Sequence, residues 1–290
     1  LWGDFYNVGI KEKTQLFSHV SIVGRVPRFS RPSNKFEKDN VLYDVNYKYL
    51  YEPAMQDEDR KRDTPLKYNV DKGVYDPVIV DQTVKYVVNR LKNAGFTVNK
   101  KLNFESAVQA INNWKASPGW PHNMKFRTKE EMIENEDAYQ TLKKEYDQEL
   151  PRNGLHQDFP KADEFLKSGK RIREICATEF PLLIQLLGYT RLFTEKLKQN
   201  KNLPIMLGIS SVRGGWEKVI NNKKACSKGL STDTTGHDTG IPFIWIYAIR
   251  DVIRQFLSLT DRQLSHFNSL FDELVSKFIV DIDGNIFVTD

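Results

Sequence analysis

Ser231-Thr232-Asp233-Thr234-Thr235-Gly236-His237-Asp238-Thr239-Gly240 runs straight into the apolar stretch 241–249. Gly and Thr at the junction of a polar and an apolar stretch read as a strand that ends, bends and enters a helix. A corner of that kind turns its carboxylates into a cleft, so Asp233 and Asp238 form a candidate metal and sugar site. Magnesium takes hard oxygen ligands and usually only one or two protein carboxylates, with phosphates and water completing its octahedron. One aspartate is therefore enough to anchor a phosphoryl-transfer metal. The same spacing also suits a capping Asp233 and a solvated Asp238, and the pair alone does not choose.

On either side of this corner the pattern is helical. Upstream, Leu183, Ile184, Leu187, Leu192 and Leu197 have the spacing of a buried helix over 180–197, 204–211 reads as a short strand, and Gly214, Gly215 and Trp216 lead into another helix. Downstream, Ile249, Val252, Ile253 and Phe256 share one helical face. Thr260 with Gln263 predicts a capping box before a helix bearing Leu264, Phe267, Phe271, Leu274 and Phe278. Asp283-Gly284, between Ile279-Val280 and Ile286-Phe287-Val288, is a hairpin signal.

Two segments farther upstream carry binding chemistry. Residues 161–173 hold Lys161, Lys167, Lys170, Arg171 and Arg173 against Asp163 and Glu164. Ser168-Gly169 permits a hairpin-like reversal and 171–175 alternates as a strand, so alternate cations would project from one face. Such a face suits a triphosphate or an RNA backbone, and a basic run is equally a solvated surface. In Ser117-Pro118-Gly119-Trp120-Pro121, two prolines without donors and a permissive glycine predict a rigid, extended loop. It can lie along a nucleic-acid strand, or turn between helices over a buried Trp. Before it, Asp76-Pro77 starts a helix with Val80, Val84, Val87, Val88 and Leu91 on one face, stopped by Gly95. Asn103 caps a second helix carrying Phe104, Val108, Ile111 and Trp114. After the loop, Thr128 and Glu131 form a capping box that opens a charged helical region reaching Leu150. Residues 1–75 alternate short β-like stretches, such as 20–26 and 41–51, with polar connectors.

The 290 residues, 40% hydrophobic and 12% aromatic, suffice for a substantial core in one large or two ordinary domains. No apolar run approaches bilayer-spanning length and no signal-peptide pattern is present, so a soluble protein is expected. Cys176 and Cys226, without His or Cys neighbours at metal-ligand spacing, argue against a disulfide framework or zinc site and fit a reducing compartment. A net charge of +5 with pI near 8.9 is compatible with a polyanionic partner. The chain opens at Leu1 and reaches Asp290 amid an expected strand pair, so both ends are expected to be cuts.

In this order, the Ser117-Pro118-Gly119-Trp120-Pro121 loop, the basic segment 161–173, the connector 208–216 and the Asp233/Asp238 corner resemble the viral RNA-dependent RNA polymerases of positive-strand, picorna-like viruses, over roughly residues 105–290. The resemblance implies that Ser117, Pro118, Gly119 and Trp120 guide the template RNA. It implies that Lys161, Lys170 and Arg173 hold the incoming nucleoside triphosphate. Asp233 would be the catalytic acid and magnesium ligand, with manganese as an alternative ion, and Asp238 would recognise the ribose hydroxyls. Two positions depart from the family pattern: Gly169-Lys170-Arg171-Ile172-Arg173 is one residue longer than the commonest G-K-x-R spacing, and His237 stands where an aromatic residue often precedes the second acid.

The implied fold is α+β, a right-hand polymerase present in part. Fingers would occupy 1–178, the start of the palm 179–254, and a return through the fingers 255–290, with the thumb missing. The family's Ser-Gly-x-x-x-Thr segment and Gly-Asp-Asp hairpin are expected beyond Asp290, so the fragment alone is expected to be inactive. The implied function is RNA-directed RNA polymerase, a template-dependent nucleotidyl transfer in viral RNA replication. Its partners would be template and product RNA, nucleoside triphosphates and viral replication proteins. Its place would be the host cytoplasm, in membrane-associated complexes reached through those proteins. Two alternatives share parts of the pattern: a reverse transcriptase-like palm, which usually carries a bulky aromatic at the position of Asp238, and a non-catalytic RNA-binding protein.

Overall fold

An acid before a proline opens the first long helix. Asp76 Oδ1 accepts the Val78 N–H at 2.8 Å, and Pro77 takes the first helical position, where a missing donor leaves no bond unmade. The computed structural model describes residues 14–17, 20–25, 51–53, 75–149, 154–160, 165–167, 174–200, 203, 241–280 and 285–289. In chain order these form β1 (Thr14–Phe17), β2 (Val20–Arg25), β3 (Tyr51–Pro53), α1 (Pro77–Asn93) and α2 (Phe104–Gln109). A 3-10 turn (His122–Met124), α3 (Lys129–Glu134), α4 (Glu136–Gln148), β4 (Leu155–Pro160), β5 (Phe165–Lys167) and β6 (Glu174–Ala177) follow. The last elements are α5 (Phe180–Gln199), α6 (Phe243–Arg254), α7 (Asp261–Val275), β7 (Phe278–Val280) and β8 (Asn285–Thr289). The mixture of helix and sheet is the α+β class expected. Among the described residues no helix is long and apolar enough to cross a membrane.

Local capping chemistry sets most helix starts. Asn103 accepts the Ser106 N–H at 2.9 Å. Thr260 and Gln263 form the full reciprocal box of α7, each bond at 3.3 Å. At α3 the box is only half formed: Thr128 accepts the Glu131 N–H, but the Glu131 carboxylate takes the N–H of Arg127, one residue earlier. The single charged helix expected through Leu150 is two, because Asn135 adopts an extended backbone and caps α4 by accepting the Ala138 N–H at 3.0 Å. α2 stops at Gln109, yet Ile111 is buried and Trp114 half-buried beyond it, reached through turns. Phe278 belongs to β7 and not to α7.

Six strands form one sheet in the order β1-β2-β8-β7-β4-β6. Neighbours are antiparallel except β4 and β7. β7 and β8 pair as the expected hairpin, Ile279 opposite Phe287, with Asp283 and Gly284 outside the described residues. The reversal expected at Ser168-Gly169 lies outside the described residues. β5 pairs with β3, and β6 pairs with β4 through Gln157↔Ala177 to Pro160↔Glu174. A six-residue partner offers β6 a longer ladder than 165–167 could, and lengthening the connection adds little closure entropy.

Two apolar clusters meet on α5. Leu182, Tyr189 and Phe193 join α1, α6 and α7 through Val88, Leu91, Val252, Phe267 and Leu270. Phe180 and Ile184 join α2, α3 and α4 through Phe104, Met132 and Leu142. Phe96 meets Phe193 and Phe256 edge-on at 5.5 and 5.8 Å, the geometry favoured by ring quadrupoles. Of the stripe expected on α5, Ile184 is buried, while Leu183, Leu187, Leu192 and Leu197 are half-buried. A helix packed on two sides has no single buried line. On α6, Val252 and Ile253 are buried but Ile249 is 55% exposed.

Histidines lie inside this packing. His266 Nδ1 is 2.9 Å from the Tyr189 hydroxyl and its Nε2 is 3.3 Å from Gln185 Oε1. Burial, and then the Lys101 cation, push His266 down to about 4, and burial with Lys277 nearby pushes His156 down to about 4. Both rings are neutral in the fold near pH 7. Released, each takes a proton near pH 6.5, so the unfolded chain binds more protons between about pH 6.5 and 4. Their contribution to stability is therefore present above the unfolded pKa and lost as pH falls towards the folded one. We expect the urea midpoint to fall from about pH 7 to pH 4.5, and His266→Gln to flatten that slope. An unchanged slope in the variant would assign the whole loss to other groups.

Candidate functional site

The loop expected from its prolines is fixed by what lies behind it. Ser117 Oγ accepts the Gly119 N–H at 3.2 Å. The Pro118 carbonyl accepts the Phe180 N–H at 2.8 Å, satisfying an amide that the first turn of α5 would otherwise leave open. Gly119 sits at φ +82°, and a Cβ there would lie 3.0 Å from the Glu179 Cα. Glycine is therefore required both by conformation and by space. Trp120 is 1% exposed and packs with Leu155, Val280, Phe278 and Ile286. Of the two readings the sequence leaves open for this loop, the structure has the turn over a buried Trp. Its large apolar area favours burial wherever a cavity between strands can take it. Of the four residues expected to meet a template, Ser117 is exposed, whereas Pro118, Gly119 and Trp120 are buried.

The outer surface beside the loop is cationic. No Asp or Glu stands between Glu105 and Glu130. Within that interval Lys115, Lys125 and Arg127 are exposed, as is Met124. Lys129 is half-buried over the Phe180 ring at 5.8 Å, and burial lowers its pKa.

Behind the loop lies a buried polar seam. β4 buries His156, Gln157 and Asp158 in succession. Asn123 Nδ2 donates to Gln157 Oε1 at 3.3 Å, and the Thr178 hydroxyl lies 3.3 Å from His156 Nδ1. The Gly154 N–H donates to Glu273 Oε2 at 3.1 Å. His122 Nε2 lies 3.6 Å from Glu179 Oε2, an ion pair whenever the imidazole is protonated. The same sheet sets the ends of the basic segment: Pro160 and Glu174 face each other across the β4–β6 ladder, so 161–173 leaves and re-enters at one place.

Lys161, Lys170, Arg173, Asp233 and Asp238 lie outside the described residues. The acidic corner enters the description only through its exit, where α6 begins at Phe243 as the strand-bend-helix reading expects. Among the described residues no group of three or more His, Cys, Asp or Glu side chains is arranged to hold a metal ion.

Comparison with known proteins adds the missing frame. The family described as viral RNA-dependent RNA polymerase matches residues 33–289. The chain belongs to that family. The genome polyprotein of Sweet potato mild mottle virus (isolate Salazar) is 24% identical over 300 residues, covering 98% of this chain and 8% of the polyprotein. The chain thus spans a small part of that relative's length. The family match begins well upstream of the motif resemblance, which starts near residue 105, and so takes in part of the β-rich opening.

Little in the residue pattern points to Glu179, His122 or the polar run of β4. An acid preceding Phe180-Pro181 reads as a helix cap, and Leu-His-Gln-Asp has no apolar alternation to mark a buried strand. Gly119→Ala is expected to destabilise the chain by about 1 to 3 kcal/mol, from positive-φ strain and the backbone contact. Urea unfolding measures it. A midpoint equal to wild type would mean that the loop moves off Glu179 freely.

Proposed function

We propose that this chain is the template-guiding and nucleotide-binding part of a viral RNA-dependent RNA polymerase. In this reading 1–178 are fingers, 179–254 the start of the palm with its acidic corner, and 255–290 a return through the fingers of a right-hand fold. The observation that carries it is the family match across 33–289, which encloses the loop, the basic segment and the acidic corner in their family order.

The reaction joins a primer 3′-oxygen to the α-phosphorus of a nucleoside triphosphate, breaks the α–β phosphoanhydride and releases pyrophosphate. Little covalent chemistry falls to the protein, so positioning and charge neutralisation dominate. Lys161, Lys170 and Arg173 would face the triphosphate oxygens. Asp238 would accept a hydrogen bond from the ribose. Ser117 and the outer backbone of its loop, flanked by Lys115, Lys125 and Arg127, would follow the template phosphates. Asp233 offers the hard oxygen donor that magnesium, or manganese in its place, takes. When bound, such ions stabilise the attacking and leaving oxygens. A single carboxylate does not hold two ions about 3.5 to 4 Å apart, so a further acid is required. By itself the chain would bind RNA weakly, in a salt-dependent way, and would not turn over. In the infected cell its setting would be the cytoplasm, among viral replication proteins.

The test is nucleotide incorporation by a longer polymerase chain containing these residues and a paired-acid hairpin. We expect incorporation on a primed RNA template that is abolished by chelation and by Asp233→Asn. RNA binding with no metal-dependent incorporation would favour the non-catalytic reading. In the active chain, Asp238→Ala should narrow the preference for ribonucleotides over deoxynucleotides, since an unpaired buried acceptor costs about 1 to 3 kcal/mol. An unchanged ratio of the two incorporation rates would give Asp238 another role.

A further inference from the structure

Glu179 occupies the cap position before α5, yet its side chain makes no capping bond to that helix. Its carboxylate is 0% exposed. Residues of the loop side and of the sheet side flank Glu179. On the loop side, His122 Nε2 is 3.6 Å from Oε2. Also on that side, Gly119 approaches so closely that a Cβ would stand 3.0 Å from the Glu179 Cα. On the sheet side, a Cβ on Gly154, the residue before β4, would stand 3.1 Å from Oε1. Through the backbone, Thr178 links Glu179 to the end of β6. Glu179 thus meets the loop side through its backbone at Gly119 and through its carboxylate beside His122, lies close to Gly154 before β4, and follows β6 along the chain.

A buried carboxyl group persists only where neighbours satisfy its polar atoms, and an amide of the same shape presents a donor where a carboxylate oxygen would accept. We propose that Glu179, with His122 as its partner, is a positioning residue that locks the Ser117–Pro121 loop to the roots of the β4–β6 ladder. The lock fixes the loop against β4 and β6, the strands that bracket the basic segment in sequence. This inference rests on the polymerase reading above. Because misplacement by about 1 Å can lower a rate about a hundredfold, the pair acts on nucleotide addition without touching substrate.

The experiment compares Glu179→Gln, His122→Gln and the double variant in the complete polymerase. It reads amide hydrogen exchange by segment, thermal midpoint, template affinity, and kcat and KM for the correct nucleotide. Each single variant is expected to raise exchange in 117–126 at least tenfold while α7 keeps its protection. Each should lower kcat at least tenfold with template affinity within about threefold. The double variant should be no worse than the poorer single, because both remove the same contact. Unchanged exchange in 117–126, equal loss of protection in the loop and α7, or additive losses in the double variant would each overturn the lock. If Glu179→Gln does not fold, His122→Gln decides alone, its side chain being 17% exposed and on the loop surface. Wild-type enzyme without incorporation would count against the polymerase reading, while the exchange comparison would still decide the contact.

Discussion

Helix α5 is buried along most of its circumference, and the remainder of the described fold takes its position from that constraint. Phe180, Leu182, Ile184, Tyr189 and Phe193 are all buried on it, shared between two clusters. Each large side chain so buried contributes about 1.5 to 3 kcal/mol, and together they rival the whole net stability of a typical domain, about 5 to 15 kcal/mol. The helix therefore does not shift to suit a loop. Its N-terminal amide at Phe180 is bonded to Pro118, so the loop inherits the rigidity of a twenty-residue packed cylinder.

The polar interior divides into two kinds. Around α7, His266, Tyr189 and Gln185 match donors to acceptors between helices, and Lys101 lies beside Glu149 at 3.0 Å and over the Tyr146 ring at 4.2 Å. These groups fix how helices sit against each other, since an apolar core alone tolerates sliding. Around Glu179 the polar groups join a loop to a sheet. Trp120 supplies the apolar anchor there and the His122–Glu179 contact supplies direction.

Much of this was legible wherever the chemistry is local. Asp76, Asn103 and Thr260 announce helix starts because a side-chain oxygen two or three residues from an open amide has one obvious task. Helix faces were legible less well. Periodicity assumes one buried side, and α5 has two, so Gln185 and Tyr189 were missed in favour of leucines that lie at the margins. For the Ser117-Pro118-Gly119-Trp120 loop the sequence leaves two readings open, and it does not choose the buried Trp because burial of Trp120 depends on β4 and β7, distant in sequence. β4 was not read at all: a strand of His, Gln and Asp buried on both faces leaves no alternation. The basic segment and the acidic corner were legible as an ordered series, and the family match encloses both.

In the proposed reading the loop would meet a flexible polymer from a rigid base, and the chemistry gives a reason for that arrangement. In phosphoryl transfer the gain comes from holding reacting groups in line more than from covalent assistance. A template strand brings its own flexibility, so the protein's share of the alignment must be stiff. The loop separates those demands by face. Its inner side places Pro118, Gly119 and Trp120 against α5 and the sheet, with no freedom to adapt. Its outer side offers Ser117 and a stretch free of carboxylates, bearing Lys115, Lys125 and Arg127, whose long side chains can follow a phosphate backbone of any sequence. In the proposed reading, rigid apolar contact would set where the strand lies, and the long cationic side chains would accommodate its sequence.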